Sequence, residues 1–297
     1  MYLHHSVSLG DSLFARATAR LTALLCGVLL VLLAPSATSP AGSTSLWAPA
    51  ATARIHPGVQ MFTDGAQCTA NFVFTDSRNR VYVGYAAHCA GMGGPTSTNG
   101  CETASHPLGT TVRFGTGANL LTGGTTVGYG KLAYSSWRTM QRRGVTAENP
   151  CSYNDFALVR VNAAYVGRVN PSMPHWGGPV GLDTDGVPTS SRLYSVGSSS
   201  LRLGGGPVAK TGTVLGQGGG GWTYSVRTSS PGIPGDSGSG FLGPDGRAMG
   251  TLSTLALFPQ TLTNGVGNLH KELRYAQRWS GIEGLRLVRG TRSFSTS

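Results

Sequence analysis

The sequence predicts an all-β chain built of two units, and three observations carry that prediction. Glycine supplies 45 of the 297 residues with no Gly-X-Y period, about twice ordinary usage. Charged residues make up only 12%, so the Glu- and Lys-rich segments of an all-helical chain are missing. Short alternating runs bounded by Gly, Pro, Asn and Asp recur along the chain, as hairpin strands do. With 39% apolar residues, there is ample material for a core, which excludes intrinsic disorder.

The N-terminal segment stands apart from this pattern. Residues 1–20 are polar with Arg16 and Arg20, residues 21–34 (LTALLCGVLLVLLA) form a 14-residue apolar run, and small residues and prolines follow. This is the layout of a secretory signal peptide. A membrane anchor fits less well, because such a run spans about 21 Å as a helix against a hydrocarbon core of roughly 30 Å. No small-x-small site stands out, and cleavage candidates run from Ser36 to Ala50. Cys26 is not a lipoprotein cysteine, since Leu25 precedes it and the apolar run continues past it. With no twin-Arg pair, the general secretion route is expected, leaving a secreted, extracellular chain with no membrane contact after cleavage.

Export changes the reading of the cysteines. Cys26 leaves with the leader, and Cys68, Cys89, Cys101 and Cys151 remain, an even number in an oxidising compartment. Two disulfides are expected, and three pairings are open. No C-x-x-C spacing or finger-like His spacing occurs, so no zinc or other metal is expected.

The excess of 23 Lys and Arg over 12 Asp and Glu, net +11, raises the question of nucleic acid. Twenty of the cations are Arg, scattered singly except for Arg142 and Arg143. No basic stripe or aromatic-interleaved motif gathers them, so no nucleic-acid partner is expected. A general attraction to acidic surfaces is compatible with the charge.

From residue 69 the elements follow in order. TANFVFT (69–75), the turn DSRN and RVYVGYA (80–86) predict a hairpin. TTVRFG (110–115), TTVGYGKLAYS (125–135) and DFALVRV (155–161) are further strands. Residues 162–179, rich in Pro, Gly and Asn, suit a crossing between two units. RLYSVGS (192–198), GTVLGQ (212–217) and WTYSVRT (222–228) follow. FLGPDGRAMGTLSTLAL (241–257) predicts a hairpin turning at Pro244, Asp245 and Gly246. One helix is expected over residues 266–279, where Leu269, Leu273 and Ala276 share a face. The glycine runs 204–206 and 218–221 are expected in surface loops.

Three segments carry chemistry. PGDSGSG (234–240) sets Ser237 on a tight turn, where Gly235 and Gly238 remove the Cβ atoms that would block backbone N–H groups from converging on an oxyanion. A lone G-x-S-x-G is weak in so glycine-rich a chain. YAAHC (85–89) ends a strand with His88 beside a cysteine. A general base must be held rigidly, and a Cys68–Cys89 bridge to the paired strand would do so, contributing about 3 kcal/mol. SYNDFALVRV (152–161) places Asp155 at the start of a strongly apolar strand, where a carboxylate needs a partner, and His88 is the candidate.

The order His88, Asp155, Ser237, with the motifs AAHC, NDFALV and GDSG, resembles the trypsin/chymotrypsin-like serine proteases over residues 55–279. The short run from Ile55 to Cys68 is more similar to the compact bacterial secreted members. The resemblance implies two antiparallel six-stranded β-barrels with a C-terminal helix and the site in the cleft between them. It implies His88 as general base, Asp155 as its orienting acid, Ser237 as nucleophile, and an oxyanion hole of the Gly235 and Ser237 N–H groups. It places Pro231 at the base of the primary pocket, Ser253 on the strand that holds the substrate chain, and Leu255 on the pocket wall. With no acid at Pro231 and a large side chain at Leu255, a small or medium uncharged residue is expected before the scissile bond.

The expected organisation is a signal peptide and short pro-segment in 1–54, an N-terminal barrel in 55–165, and a C-terminal barrel with its helix in 166–297. The chain departs from the family in reading GDSGSG, with Ser239 where Gly is usual. Arg54–Ile55 is a candidate maturation site without the usual IVGG, which leaves Asp236 to pair with the Ile55 amino group or a buried Arg, the Arg being preferred. The expected protein is a monomeric endopeptidase acting on protein or peptide substrates without cofactor. The rival reading is a noncatalytic binding or adhesion module on the same fold. An α/β-hydrolase is excluded, because it needs Ser before Asp before His.

Overall fold

The computed structural model describes residues 46–94, 97–256 and 263–297, without the side chains of Leu255 and Ala256. The apolar run at 21–34 and the cleavage candidates up to residue 45 therefore lie outside the described residues. No helix among the described residues is long and apolar enough to cross a membrane.

In chain order the first half supplies β1 (Gln60–Thr63), β2 (Ala66–Thr69), β3 (Val73–Thr75), β4 (Val81–Tyr85), β5 (Thr111–Thr116), β6 (Thr125–Ser135), α1 (Ser136–Arg142), α2 (Glu148–Tyr153) and β7 (Ala157–Val161). The second half supplies β8 (Arg192–Gly197), β9 (Val208–Gly218), β10 (Thr223–Thr228), β11 (Gly240–Leu242), β12 (Ala248–Ala256), β13 (Thr263–Asn268), α3 (Leu269–Trp279) and β14 (Arg286–Leu287). The strands form two antiparallel sheets, the all-β double-barrel layout expected, but only the second has the expected six strands, because the short β2 and β14 extend the first at its edges. The second is a closed six-stranded barrel in the order β10-β13-β12-β11-β8-β9. The first is an eight-stranded sheet, β14-β3-β4-β7-β6-β5-β1-β2, in which the short β2 and β14 occupy the edges.

The hairpin read at residues 69–86 forms with Val73 opposite Val83. Its turn is tied by Asp76, whose Oδ1 accepts the N–H groups of Arg78 and Arg80 at 2.9 Å each and whose Oδ2 accepts the Tyr82 hydroxyl at 2.9 Å. Self-bonding of this kind is why Asp opens turns. At the other end of the chain, β14 returns to the first sheet and pairs with β3, Arg286 opposite Thr75.

Each sheet has its own apolar interior. Met61, Val83, Phe114, Leu132 and Val159 pack within the first, and Leu193, Val214, Val226, Phe241 and Val266 within the second. A third cluster joins Phe74, Phe156 and Leu158 to Tyr194 and Leu242 and to Leu269, Leu273 and Ala276 of α3. Removing so many large apolar groups from water ties the two sheets and the helix into one body.

The helix differs from its expected span at one end. Residues 266–268 complete β13, and α3 begins at Leu269. Asn268 supplies the N-cap, its side chain accepting the Lys271 N–H at 3.3 Å, which satisfies one of the free donors of the first turn. The two disulfides are Cys68–Cys89 and Cys101–Cys151, closing sequence separations of 21 and 50 residues.

Candidate active site

His88 sits on a single 3-10 turn, Ala87–Ala90, directly after β4. Ala86, Ala87 and Ala90 are fully buried around it, and the Cys89 disulfide ties the turn to Cys68 in β2. The ring is therefore clamped from both neighbours. Asp155 lies just before β7 and is 3% exposed. Its Oδ1 accepts the His88 backbone N–H at 2.8 Å, and its Oδ2 lies 2.6 Å from His88 Nδ1. An ionised carboxylate only accepts, so Nδ1 carries a proton and Nε2 faces outward as the basic nitrogen.

A third donor completes the carboxylate: the Ser253 hydroxyl, 2.6 Å from Asp155 Oδ2. Burial alone would raise the Asp155 pKa, but the His88 charge and these hydrogen bonds hold it below the ordinary range. For His88, burial works to lower the pKa, and the neighbouring Asp155 charge and hydrogen bond more than offset it, leaving the imidazole above its ordinary value. The pair thus favours a proton on the ring and a charge on the carboxylate.

Ser237 occupies the turn that the glycines predict. Gly235 and Gly238 take φ values of +94° and +88°, a region L side chains avoid, and a Cβ at Gly238 would collide with the Thr69 carbonyl oxygen. The loop is pinned from both sheets: Thr69 N–H donates to the Ser237 carbonyl at 2.8 Å and Gly238 N–H to the Leu252 carbonyl at 2.7 Å. The Thr69 hydroxyl and Gln67 amide donate to the Gly235 carbonyl at 2.7 and 3.1 Å. Asp236 N–H is taken by the Ile233 carbonyl, whereas the N–H groups of Gly235 and Ser237 on either side meet no acceptor among the described residues. Two adjacent donors left open on a pinned loop suit a developing oxyanion.

Asp236 is fully buried beneath this loop. Arg202 grips both of its oxygens, at 2.6 and 2.5 Å, and Lys210 Nζ adds a contact of 2.6 Å to Oδ2. Burial would raise its pKa, but these cations hold it low. Of the two partners open to Asp236 in the sequence, the arginine is the one found, joined by a lysine that sequence reasoning missed. Ile55 is fully buried, and its N–H donates to the Arg168 carbonyl at 3.0 Å.

His88, Asp155, Gly235, Ser237 and Ser253 line one cavity of about 740 Å³. The Ser237 hydroxyl makes no hydrogen bond to His88 among the described residues, which is common before a substrate closes the geometry. Gly232, Ile233, Leu252, Thr254 and Asn264 line the same cavity. Pro231, expected at the pocket base, is not part of the lining. Its carbonyl lies 3.4 Å from Lys210 Nζ, while its neighbours Gly232 and Ile233 do line the cavity. Ser253, expected to act through its backbone, is tied to Asp155 through its side chain. Leu255 pairs with Asn264 across β12 and β13, and its side chain lies outside the described residues. Cys68, His88 and Cys89 come together, but the two sulfurs are bonded to each other and offer no metal ligand.

Among solved structures, this chain is similar to those of bacterial serine proteases. Thermobifida fusca protease A matches at 17% identity over 80% of this chain and 99% of that one, with a TM-score of 0.47. The Nocardiopsis protease matches at 19% over 78% and 98%, TM-score 0.46, and Cellulomonas bogoriensis chymotrypsin at 18% over 79% and 98%, TM-score 0.45. No protein-family model and no curated protein matches the sequence.

Proposed function

We propose that the protein is a secreted serine endopeptidase with a first barrel in 55–165 and a second in 166–297; of the leader and short pro-segment expected in 1–54, the part from Ala48 on stays with the mature chain, since Ala48 N–H donates to the Val169 carbonyl. The observation that carries the reading is the 2.6 Å contact of His88 Nδ1 with a buried, triply bonded Asp155 in a cavity that Ser237 also lines. Ser237 attacks the scissile carbonyl while His88 Nε2 takes its proton, and Asp155 holds the imidazole and stabilises its cation. The Gly235 and Ser237 N–H groups receive the oxyanion. His88 then protonates the leaving amine, and water repeats the sequence on the acyl-enzyme. No step calls for a metal or organic cofactor.

The lining by Gly232, Ile233, Leu252, Thr254 and Asn264 supplies no charge to pair with a charged side chain, which supports a small or medium uncharged residue before the scissile bond. Two disulfides behind an apolar leader support secretion. The rival reading is a noncatalytic module on the same fold. Incubating the mature chain with a peptide library separates the two: cleavage after small uncharged residues, lost in Ser237→Ala, supports the peptidase. Equal cleavage by that variant, or none by either, contradicts it, and cleavage after Lys or Arg contradicts the pocket assignment.

A further inference from the structure

Glu272 is the only charged-type residue of α3 that is fully buried. It takes part in no ion pair among the described residues, and it is not part of the cavity lining. Its Oε1 accepts the backbone N–H of Asp155 at 3.2 Å, the Thr251 hydroxyl also faces the carboxyl group, and Oε2 has no partner within hydrogen-bond distance among the described residues. The space is made by Gly267 of β13, where a Cβ would collide with Oε1. A bare carboxylate in such a place, next to the Asp155 charge and without a cation, is strongly disfavoured.

The surroundings point the same way. Asn154 Oδ1, beside Asp155, and the Tyr134 hydroxyl on β6 are also buried without partners among the described residues. The groups facing Glu272 are Asp155 ahead of β7, Tyr134 from β6, Thr251 from β12 and, one turn along its own helix, Tyr275. Arg143 and Arg142 face Tyr275, and neither forms an ion pair with Glu272 among the described residues. Among the described residues, the ionisable groups named as facing it are an acid and phenols. Burial and the Asp155 charge push the Glu272 pKa up to about 8.

We propose that Glu272 is a positioning residue: as a neutral carboxylic acid, it seats the Asp155 peptide N–H and so fixes the side chain that orients His88. This rests on the reading of Asp155 as the orienting acid. A neutral amide retains the acceptor, whereas a thioether of similar size does not, so Glu272→Gln and Glu272→Met separate seating from simple space-filling.

The test is the rate of Ser237 labelling by a fluorophosphonate across pH, with urea unfolding of the same proteins. At pH 7, Glu272→Gln is expected to label at least about tenfold faster than Glu272→Met, the size a small misplacement of a catalytic group produces. Above pH 8 the wild type slows as the second carboxylate ionises, and Glu272→Gln does not. Equal rates in the two variants, or identical pH profiles for Glu272→Gln and wild type, would overturn the proposal.

Two further readouts do not depend on activity. A raised folded pKa gives stability that is full below about 4.5 and is lost as pH rises through about 8. Unfolding of the wild type should show that decline and Glu272→Gln should not. An infrared carboxylic-acid band present at pH 7 and missing in Glu272→Gln is the second. If the wild type fails to label while both signatures appear, the peptidase reading fails and the neutral acid stands. If both signatures are absent, the proposal fails whatever the activity.

Discussion

Ser253 and His88 meet on a single oxygen: the Ser253 hydroxyl and His88 Nδ1 both lie 2.6 Å from Asp155 Oδ2. The strand residue of the second barrel thus fixes the carboxylate that belongs to the first sheet. A hydrogen bond to a charged group contributes about 1.5–3 kcal/mol. Ser253→Ala is expected to slow labelling of Ser237 by roughly ten- to a hundredfold. A change within about twofold would show that the hydroxyl is dispensable.

The raised pKa of His88 sets the acid limb of the pH profile. Catalysis needs the neutral ring, so kcat/KM rises with pH through the His88 pKa, with a midpoint above the 6.5 of an ordinary imidazole. Asp155→Asn removes the charge that holds the pKa up. The midpoint then falls, and the rate drops by about four orders of magnitude. A midpoint in the wild type below 6.5 would contradict the pairing.

Asp236 is expected to matter to stability more than any surface acid. Its replacement by Ala leaves Arg202 and Lys210 facing each other without an anion and should cost about 3–5 kcal/mol, read from the urea midpoint at neutral pH. Lys210→Met leaves the two-point Arg202 contact and should cost clearly less. The folded pKa values of Asp155 and Asp236 are held down, so their stabilisation is present above an unfolded value near 3.8 and is lost as pH falls through the folded values.

With Asp236 held by side chains, the loop bearing Ser237 needs no freed amino group. Arg54→Gln is therefore expected to leave labelling of the secreted chain intact. N-terminal sequencing should find a start before Ala48, because Ala48 bonds to Val169 and Asn170 within the fold. A chain that begins at Ile55 and labels only after cleavage there would reverse this.

The candidate site residues stand out in the sequence more sharply than several elements of the fold do. His88, Asp155 and Ser237 each stand in a context that chemistry constrains, and their order along the chain narrows the choice further. The hairpin at β3 and β4 was legible because valines alternate on either side of an Asp turn. β13 was not: TNGVGN carries two glycines and no run of branched residues, and Val266 falls three residues before Leu269, in phase with the helix that follows. β14 is two residues long, too short to leave a pattern. α1 and α2 are single turns or little more, set by packing and by the Ser135 cap rather than by periodicity. Arg202 lies beside a glycine run read as surface loop, and Glu272 on a helix reads as a solvated residue, so only three-dimensional burial reveals either.

The most direct measurement is covalent labelling of the mature protein by a fluorophosphonate, with the modified peptide located by mass spectrometry. The account predicts stoichiometric modification of Ser237, abolished in Ser237→Ala and slowed by orders of magnitude in His88→Ala. No modification of the folded wild type, or equal modification in His88→Ala, would contradict it.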